Sequence, residues 1–292
     1  MTPDQAKGLR PEARALQAPP DPRERFVAVL SGKGGVGKTN LVANLAVAAA
    51  GLRARVLVVD GDFGLSNIDV LLGLVARYTV EDVLLGHRSV ADALVQGPRG
   101  VHLLAAASGR GEFTALADAH LERLVRLLRE AAVDYDLVLV DAGPGVGSNA
   151  MGLAARCARA LIVTTREPTS LADAYAALKL LAQGAPRLPV ELVVNGVADG
   201  RQARVTHARL DRMARRFLDT SIGLRGFLSQ DARLAEAVAR QCAVVELFPA
   251  ATSSRQLVEL AQGLLRDHRP PDRDRRPTPD SPIPGATPCI RS

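Results

Sequence analysis

The sequence predicts a doubly wound α/β protein with a mostly parallel sheet. Short apolar runs alternate with helical stretches, and a glycine-rich turn follows the first run. Runs that are apolar at every position, such as Val56–Val59 and Leu137–Val140, suit strands covered by helices on both faces, as in parallel sheets. The glycine-rich turn Ser31–Thr39 lies directly behind the run Phe26–Leu30. Fold class and candidate site are therefore predicted from the same stretch.

The strands are predicted where β-branched and aliphatic residues cluster between turn signals. They are expected at Phe26–Leu30, Arg55–Asp60, Val101–Ala105, Asp136–Asp141, Ala160–Thr164, Val190–Asn195 and Gly223–Leu228. Helical spacing of apolar residues predicts the crossover helices Thr39–Ala50, Asp118–Ala132 and Ser170–Ala182. A last helix over Ser253–Asp267 carries leucines at helical spacing, which favours a core helix over a membrane-binding one.

The two ends of the chain differ in composition from the rest. Residues 1–25 are polar and contain Pro19-Pro20-Asp21-Pro22, which predicts a flexible tail or a segment that docks on a partner. Residues 268–292 are rich in proline and arginine, which predicts a disordered tail. The folded domain is therefore expected over residues 26–267.

Composition excludes several classes of function. Hydrophobic residues make up 47% and charged residues 23%, as in soluble globular proteins, while the 3% of aromatic residues disfavours stacking platforms for single-stranded nucleic acid. No signal peptide and no apolar run of about 18 residues is apparent, so a cytoplasmic protein is expected. Cys157, Cys242 and Cys289 lie far apart, which disfavours a zinc or iron–sulfur site and fits a reducing compartment.

The turn Ser31–Thr39 matches the phosphate-loop pattern G-x-x-x-x-G-K-[ST] in full. Its glycines allow positive φ and close approach of phosphate oxygens, and the turn's N–H groups with the following helix N-terminus form an anion site. Lys38 is expected to reach the outer phosphates and the Thr39 hydroxyl to ligate Mg²⁺. A second lysine, Lys33, has no evident role in an isolated loop because Lys38 already occupies the pocket.

Two strand ends carry carboxylates that face the phosphate loop in such a sheet, because ligands bind beyond the carboxyl ends of the strands. Asp60 and Asp62 close one strand and Asp141 closes another. A carboxylate in this position is expected to hold Mg²⁺ beside the nucleotide. Helix capping or turn formation is the alternative role.

These motifs resemble the MinD/ParA ATPases, whose P-loop NTPase fold is of the SIMIBI type. K-G-G-V-G-K-T at Lys33–Thr39 is similar to their deviant phosphate loop, and Val59–Leu74 is similar to the switch region of the MinD branch. Asn40, the segment Glu167–Leu181 and E-L-F-P at Glu246–Pro249 resemble the flagellar-number regulators of the FlhG/FleN type, the YlxH subgroup.

The tail adds D-Q-A-K-G-L-R at Asp4–Arg10, which is similar to the D-Q-A-x-x-L-R motif of that subgroup. In the subgroup this motif engages FlhF, a flagellar GTPase of the signal-recognition type. The resemblance thus implies FlhF contacts through Asp4, Gln5, Ala6, Leu9 and Arg10.

The resemblance also implies ATP and Mg²⁺ as ligands and a homodimer that sandwiches the nucleotide. Lys33 would cross to the partner subunit's ATP and act in catalysis with Lys38 and with Asp62, which would position the attacking water. Thr39, Asp60 and Asp141 would serve the metal. The implied ATP contacts are Gly32, Lys33, Gly34, Gly35, Val36, Gly37, Lys38, Thr39, Asn40 and Asn195. For Asn195, which would contact adenine, a strand-ending turn role is the alternative.

The implied function is a slow regulatory ATPase, an ATP-dependent dimerisation switch that sets flagellar number and placement with FlhF. A flagellar transcription regulator or C-ring proteins are further implied partners. Members of the MinD branch usually end in a membrane-targeting helix, so peripheral association with the inner face of the membrane or the cell pole stays open. The family commonly has a proline before the acidic residue near the adenine, whereas this chain has Leu228-Ser229-Gln230-Asp231, which puts base contacts there in doubt.

The main alternative is a DNA-partitioning or protein-positioning ATPase of the ParA type. Residues 201–218 predict a helix with its arginines on one arc, which is either a solvated face or a docking face for an acidic partner or nucleic acid. The arginines are Arg201, Arg204, Arg209, Arg212, Arg215 and Arg216. The flagellar motifs disfavour DNA binding. An iron–sulfur ATPase is disfavoured because the sequence has no cysteine pair near the switch regions. A tyrosine kinase is disfavoured because no tyrosines cluster at the C-terminus, and a regulator with a decayed site is disfavoured because Lys38, Thr39, Asp62 and Asp141 are intact.

Overall fold

The computed structural model describes residues 22–63, 67–107 and 117–267. The predicted FlhF motif Asp4–Arg10 and the predicted disordered tail 268–292 lie outside the described residues. At the junction between the predicted tail and the first strand, Pro22–Arg25 form a 3₁₀ turn, and the Arg25 guanidinium donates to the carbonyls of Ala132, Val133 and Tyr135 at 2.7–2.9 Å. The folded domain therefore includes Arg25, because this arginine anchors the start of the first strand.

An eight-stranded sheet forms the centre of the domain, with strand order β3-β4-β2-β5-β1-β6-β7-β8. Its strands are β1 (Phe26–Ser31), β2 (Val56–Gly61), β3 (Val95–Gln96), β4 (His102–Leu104), β5 (Leu137–Pro144), β6 (Arg159–Thr164), β7 (Val190–Val197) and β8 (Gly223–Ser229). All neighbours are parallel except β3 and β4. The predicted doubly wound class is confirmed, and all seven predicted strands are present.

Helices cover both faces of the sheet. They are α1 (Lys38–Gly51), α2 (Ile68–Leu71), α3 (Val80–Leu85), α4 (Val90–Ala93), α5 (Asp118–Ala131), α6 (Ser148–Ala155), α7 (Pro168–Gly184), α8 (Gly200–Leu218), α9 (Ala232–Ala239), α10 (Val244–Leu247) and α11 (Thr252–Asp267). None of the helices in the described ranges is long and apolar enough to cross a membrane.

The central strands are buried on both faces, as their continuous apolar runs predict. Every residue of β1 and β2 is buried. The helix α1 lies on one face of the sheet and is itself covered by α11, whose Leu257, Leu260 and Leu264 are buried. The interpretation of α11 as a core helix is thus confirmed by its packing. Burial of α1 between sheet and α11 fixes the phosphate loop at its N-terminus.

The helix α8 has the predicted amphipathic pattern. Leu210 and Ala214 are buried against the sheet, while all six arginines of the predicted arc are exposed. Phe217, which falls roughly opposite the arginines in a helical projection, is 64% exposed because it lies in the last turn, where the Arg216 guanidinium lies 5.3 Å from its ring centroid. The structure thus gives the domain one strongly basic outer helix.

Candidate functional site

The phosphate loop connects the end of β1 to the start of α1. Gly35 and Gly37 have φ of 80° and 86°, which is the left-handed region that glycine tolerates best. Gly32 is required by packing, since a Cβ there would lie 2.1 Å from the main-chain carbonyl of Asp173 in α7. The Gly145 N–H also donates to the Ser31 carbonyl at 3.0 Å. The loop is therefore held between α7 and the end of β5.

Lys38 and Asp141 form a buried ion pair at the base of the loop. The Lys38 ammonium contacts Asp141 Oδ1 and lies 3.3 Å from Thr39 Oγ1. Burial raises the pKa of the Asp141 carboxyl, and the Lys38 ammonium opposes this rise. The residues predicted for phosphate and for metal are thus in direct contact.

Asp60 and Asp62 lie at the neighbouring strand end. In the β2–β5 register Asp60 is opposite Asp141, and its buried Oδ1 accepts the Asp62 N–H at 2.9 Å. A Cβ added at Gly143 would lie 3.5 Å from Asp62 Oδ1, so the Asp62 side chain lies along the end of β5. The three carboxylates Asp60, Asp62 and Asp141 therefore lie at the adjoining ends of β2 and β5, where Asp141 contacts the loop lysine Lys38.

The donor set fits a divalent cation that is held partly by a nucleotide. Asp141 Oδ2 is buried and has no hydrogen-bond partner among the described residues, which is costly for a carboxylate oxygen. The described ranges contain no group of three His, Cys, Asp or Glu residues arranged as a complete metal cage. Carboxylates and one hydroxyl beside a phosphate site suit Mg²⁺, which usually takes its remaining ligands from phosphate and water. Thr39, Asp60 and Asp141, the predicted metal residues, would be the side chains to hold it; this assignment stays a prediction.

Lys33 lies apart from the buried pair and points to the start of α7. Its Nζ is 3.0 Å from Glu167 Oε2 and 3.3 Å from Thr169 Oγ1. The Lys33 and Glu167 side chains are 33% and 63% exposed. Glu167 and Thr169 belong to the segment Glu167–Leu181 that resembles the flagellar-number regulators, and no local sequence pattern predicts their contact with the loop. The structure adds both to the candidate site.

Asn195 is brought to the phosphate loop by β7. Its Nδ2 donates to the Val36 carbonyl at 2.8 Å and lies 2.4 Å from the position of a Cβ on Gly37. This contact braces the loop at Val36 and Gly37. The predicted contact of Asn195 with adenine stays a prediction.

Asp231 is the acidic residue of the segment Leu228–Asp231, which differs from the family pattern, and its carboxylate forms hydrogen bonds within the fold. Its Oδ1 accepts the Arg233 N–H at 2.9 Å at the start of α9, and its Oδ2 accepts the N–H and hydroxyl of Ser253 at 3.0 and 2.8 Å. The main-chain bond from Ser253 is the largest of the interactions that lower the pKa of this carboxyl. Asp231 therefore joins α9 to α11.

Together the fold and the loop define a P-loop nucleotide-binding protein. Residues 27–244 match the model of the CobQ/CobB/MinD/ParA nucleotide binding domain. The chain belongs to this family and is a P-loop ATPase of the MinD/ParA kind.

Two relatives of the chain are an antiactivator and a flagellum site-determining protein. It is 36% identical to the antiactivator FleN of Pseudomonas aeruginosa over 82% of this chain and 85% of that protein. It is 32% identical to the flagellum site-determining protein YlxH of Helicobacter pylori over 65% of this chain and 64% of that protein. The predicted resemblance to this subgroup is confirmed.

A solved relative shows the same fold with a nucleotide. The septum site-determining protein MinD of Pyrococcus horikoshii, complexed with Mg-ADP, is 25% identical and superposes with a TM-score of 0.68 over 82% of this chain and 94% of that one. This likeness supports the use of a nucleotide and Mg²⁺ by the family fold.

Proposed function

We propose that this protein is an ATP-dependent dimerisation switch that regulates flagellar number or placement. In this proposal ATP binds at the loop and joins two subunits, and hydrolysis separates them. The observation that carries the proposal is the position of Lys33, a loop lysine that contributes nothing to the buried Lys38–Asp141 pair and lies partly exposed at the rim of the site.

The geometry of Lys33 suits an intersubunit role. Its ammonium is paired with Glu167 at the exposed start of α7, where water screens the attraction. Such a pair is worth about 0–1 kcal/mol, so a triphosphate presented by a second subunit is a far stronger competitor for the lysine. The pair with Glu167 keeps Lys33 at the surface in the single subunit.

The carboxylates suit hydrolysis in the joined state. Bound Mg²⁺ would neutralise charge on the phosphates. Asp62 lies beside the end of β5 and follows the buried Asp60, which accepts its N–H. We assign Asp62 to hold and orient the attacking water, and Lys38 to stabilise charge on the outer phosphates. Turnover is expected to be slow, because a switch needs a long-lived bound state.

Gel filtration with ATP tests the switch. Lys33→Ala should elute as a monomer, because the intersubunit contact is lost, while Asp62→Ala should elute as a stable dimer, because hydrolysis is lost. Glu167→Ala is the matched control, since it frees Lys33 without removing it, and it should still dimerise. Dimers of both Lys33→Ala and Asp62→Ala would contradict the mechanism.

The flagellar role rests on the named relatives and on the N-terminal motif. We propose FlhF as a partner through Asp4, Gln5, Ala6, Leu9 and Arg10, and a flagellar transcription regulator or C-ring proteins as further partners. A pull-down and GTPase assay with ATP should lose FlhF stimulation when residues 1–25 are removed. If stimulation survives the truncation, the role of the motif is wrong.

We place the protein in the cytoplasm, with peripheral association at the membrane or cell pole as the part to be tested. Co-sedimentation with vesicles of anionic lipid in ATP addresses it. Failure to pellet would remove the peripheral association and leave the switch intact.

A second candidate, a DNA-partitioning or protein-positioning ATPase of the ParA type, is favoured by one observation. The outer face of α8 carries six exposed arginines and a single acidic residue, Asp211. Such a face attracts nucleic acid through phosphate contacts. The salt dependence of DNA binding distinguishes the two candidates.

A further inference from the structure

Two asparagines connect the phosphate-loop end of α1 to α10. Asn44 Nδ2 donates to Asn40 Oδ1 at 2.8 Å and to the Asn40 carbonyl at 2.9 Å. On its other side Asn44 Oδ1 accepts the main-chain N–H of Val244 at 2.6 Å. The Asn44 side chain is 5% exposed, so these bonds are sheltered from water. Val244, Asn44 and Asn40 therefore form a buried chain of hydrogen bonds, here called the asparagine relay, that links α10 to the start of α1.

One main-chain donor fixes the orientation of both carboxamides. The Val244 N–H can only donate, so the Asn44 atom facing it must be the carbonyl oxygen. The other end of Asn44 is then its NH₂ group, which can only donate, so the Asn40 atom facing it must also be oxygen. It follows that the Asn40 NH₂ group faces away from Asn44.

The helix geometry directs that NH₂ group to the loop. Side chains of an α-helix tilt toward its N-terminus, so Asn44 reaches back over Asn40, and Asn40 leans toward the end where Lys38 and Thr39 begin the helix. An NH₂ group at this end can donate to an anionic phosphate oxygen. A carbonyl oxygen in the same place would repel it.

We propose that Asn44 is a positioning residue for nucleotide binding, which holds the Asn40 carboxamide with its NH₂ group toward the phosphates. This rests on the proposed binding of ATP at the loop. Val244 is itself held, because the Ser254 hydroxyl, which lies 3.1 Å from the Val244 carbonyl and 2.7 Å from that of Phe248, ties α10 to α11. The fixed main-chain N–H of Val244 thus determines, through Asn44, which end of the Asn40 carboxamide faces the nucleotide.

The variant Asn44→Asp tests the asparagine relay, because aspartate has nearly the same shape as asparagine but cannot donate a hydrogen bond to Asn40. Its carboxylate still accepts the Val244 N–H, but its second oxygen now needs a donor, so Asn40 must turn its NH₂ group toward it and its oxygen toward the phosphates. Isothermal titration of the full chain with Mg-ATP should show binding weakened about tenfold or more, as expected when a hydrogen bond to a charged group is replaced by repulsion. Thermal unfolding without nucleotide reports any loss of stability separately.

The Asn40→Ala background distinguishes positioning from general repulsion. If Asn44 acts through Asn40, then Asn44→Asp should weaken ATP binding clearly in the native background and by much less in Asn40→Ala. Equal losses in both backgrounds would mean that the new charge acts directly on the phosphates. That result would overturn the proposal.

Val244→Pro removes the orienting donor by a different route. Val244 is the first residue of α10, a position that accepts proline, and Ala243 before it is extended with φ −67° and ψ 133°, as a residue before proline prefers. Without the N–H both carboxamides are free to flip, so ATP binding should weaken by about twofold to fivefold, and only when Asn40 is present. Unchanged ATP binding in both Val244→Pro and Asn44→Asp would overturn this inference alone. Absence of ATP binding by the native protein would overturn the proposed function itself.

Discussion

The Lys38 ammonium and the Asp141 carboxylate form an ion pair that solvent barely reaches, with side chains 5% and 1% exposed. Lys38 belongs to the first turn of α1, and Asp141 belongs to the carboxyl-terminal half of β5. In the proposed function these groups serve phosphate and metal, so ligand phosphates must compete with Asp141 for the lysine. The pair therefore couples the stability of the domain to the state of its site.

Replacement of Lys38 by Met should destabilise the protein as well as abolish ATP binding. The variant leaves a buried carboxylate without its counter-charge, which typically costs about 3–5 kcal/mol. Because burial raises the pKa of the Asp141 carboxyl, it should take up a proton in the variant, and the loss should be smaller at low pH than at high pH. Urea unfolding at several pH values measures this.

The double variant Lys38→Met, Asp141→Asn is the control for that experiment. It removes both charges and keeps the shape, so most of the lost stability should return, while ATP binding should remain absent. Failure to recover stability would show that Lys38 contributes by packing, not by pairing with Asp141.

The glycines of the loop provide a second prediction. Gly35 and Gly37 both have positive φ, but only Gly37 has a neighbour, Asn195 Nδ2, in the space that a Cβ would fill. Gly35→Ala should carry backbone strain of about 1–2 kcal/mol, and Gly37→Ala should carry the same strain plus a clash that displaces Asn195. Titration with Mg-ATP should therefore show the greater loss for Gly37→Ala.

Removing the clashing side chain checks this explanation. Asn195→Ala in the Gly37→Ala background should recover part of the lost affinity, while Asn195→Ala alone should lower it, because the brace on the Val36 carbonyl is lost. Gly184→Ala, at the end of α7 with open space around it, is the neutral control. Equal losses for Gly35→Ala and Gly37→Ala would contradict the role of Asn195.

The sequence predicted the parts of the site that depend on local patterns. The loop, the strand-end carboxylates and the crossover helices follow from glycine spacing and apolar periodicity, which act over a few residues. The short edge strand β3 could not be predicted, since two residues carry no periodicity. Contacts such as Lys33–Glu167 and Asn44–Val244 join residues far apart in the chain, so only the packing of helices on the sheet reveals them.

His102 should make stability depend on pH near neutrality. The ring is half-buried in β4, where its Nδ1 is hydrogen-bonded to the Tyr135 hydroxyl, and burial lowers the pKa of the histidine from its ordinary value of 6.5. A base with a lowered folded pKa contributes stability that is present above 6.5 and is lost as pH falls from there toward the folded pKa. Urea unfolding should accordingly show declining stability between about pH 7 and pH 5.

Two variants separate the contribution of His102 to the pH dependence of stability from that of the other titratable groups. His102→Gln should flatten the pH dependence in that range, whereas His120→Gln, on the exposed side of α5, should leave it unchanged. Burial also raises the pKa of Tyr135 to about 12, so the tyrosine keeps its proton throughout the experiment. A slope that is the same in all three proteins would exclude His102 as its source.

DNA binding by α8 is expected to be weak and strongly salt-dependent. Arg215 pairs with Asp211 at 2.8 Å, while Arg204, Arg209 and Arg212 form no ion pair within the described ranges, so they are available to phosphates. If the flagellar switch is the correct function, a mobility shift seen at low salt should vanish at about 0.15 M salt. Changing those three arginines to Gln should abolish the low-salt shift, and changing the exposed Arg123 and Arg126 of α5 should not. A shift that persists at about 0.15 M salt and depends on α8 would instead favour the ParA-type function, because weak phosphate attraction alone is lost at that salt concentration.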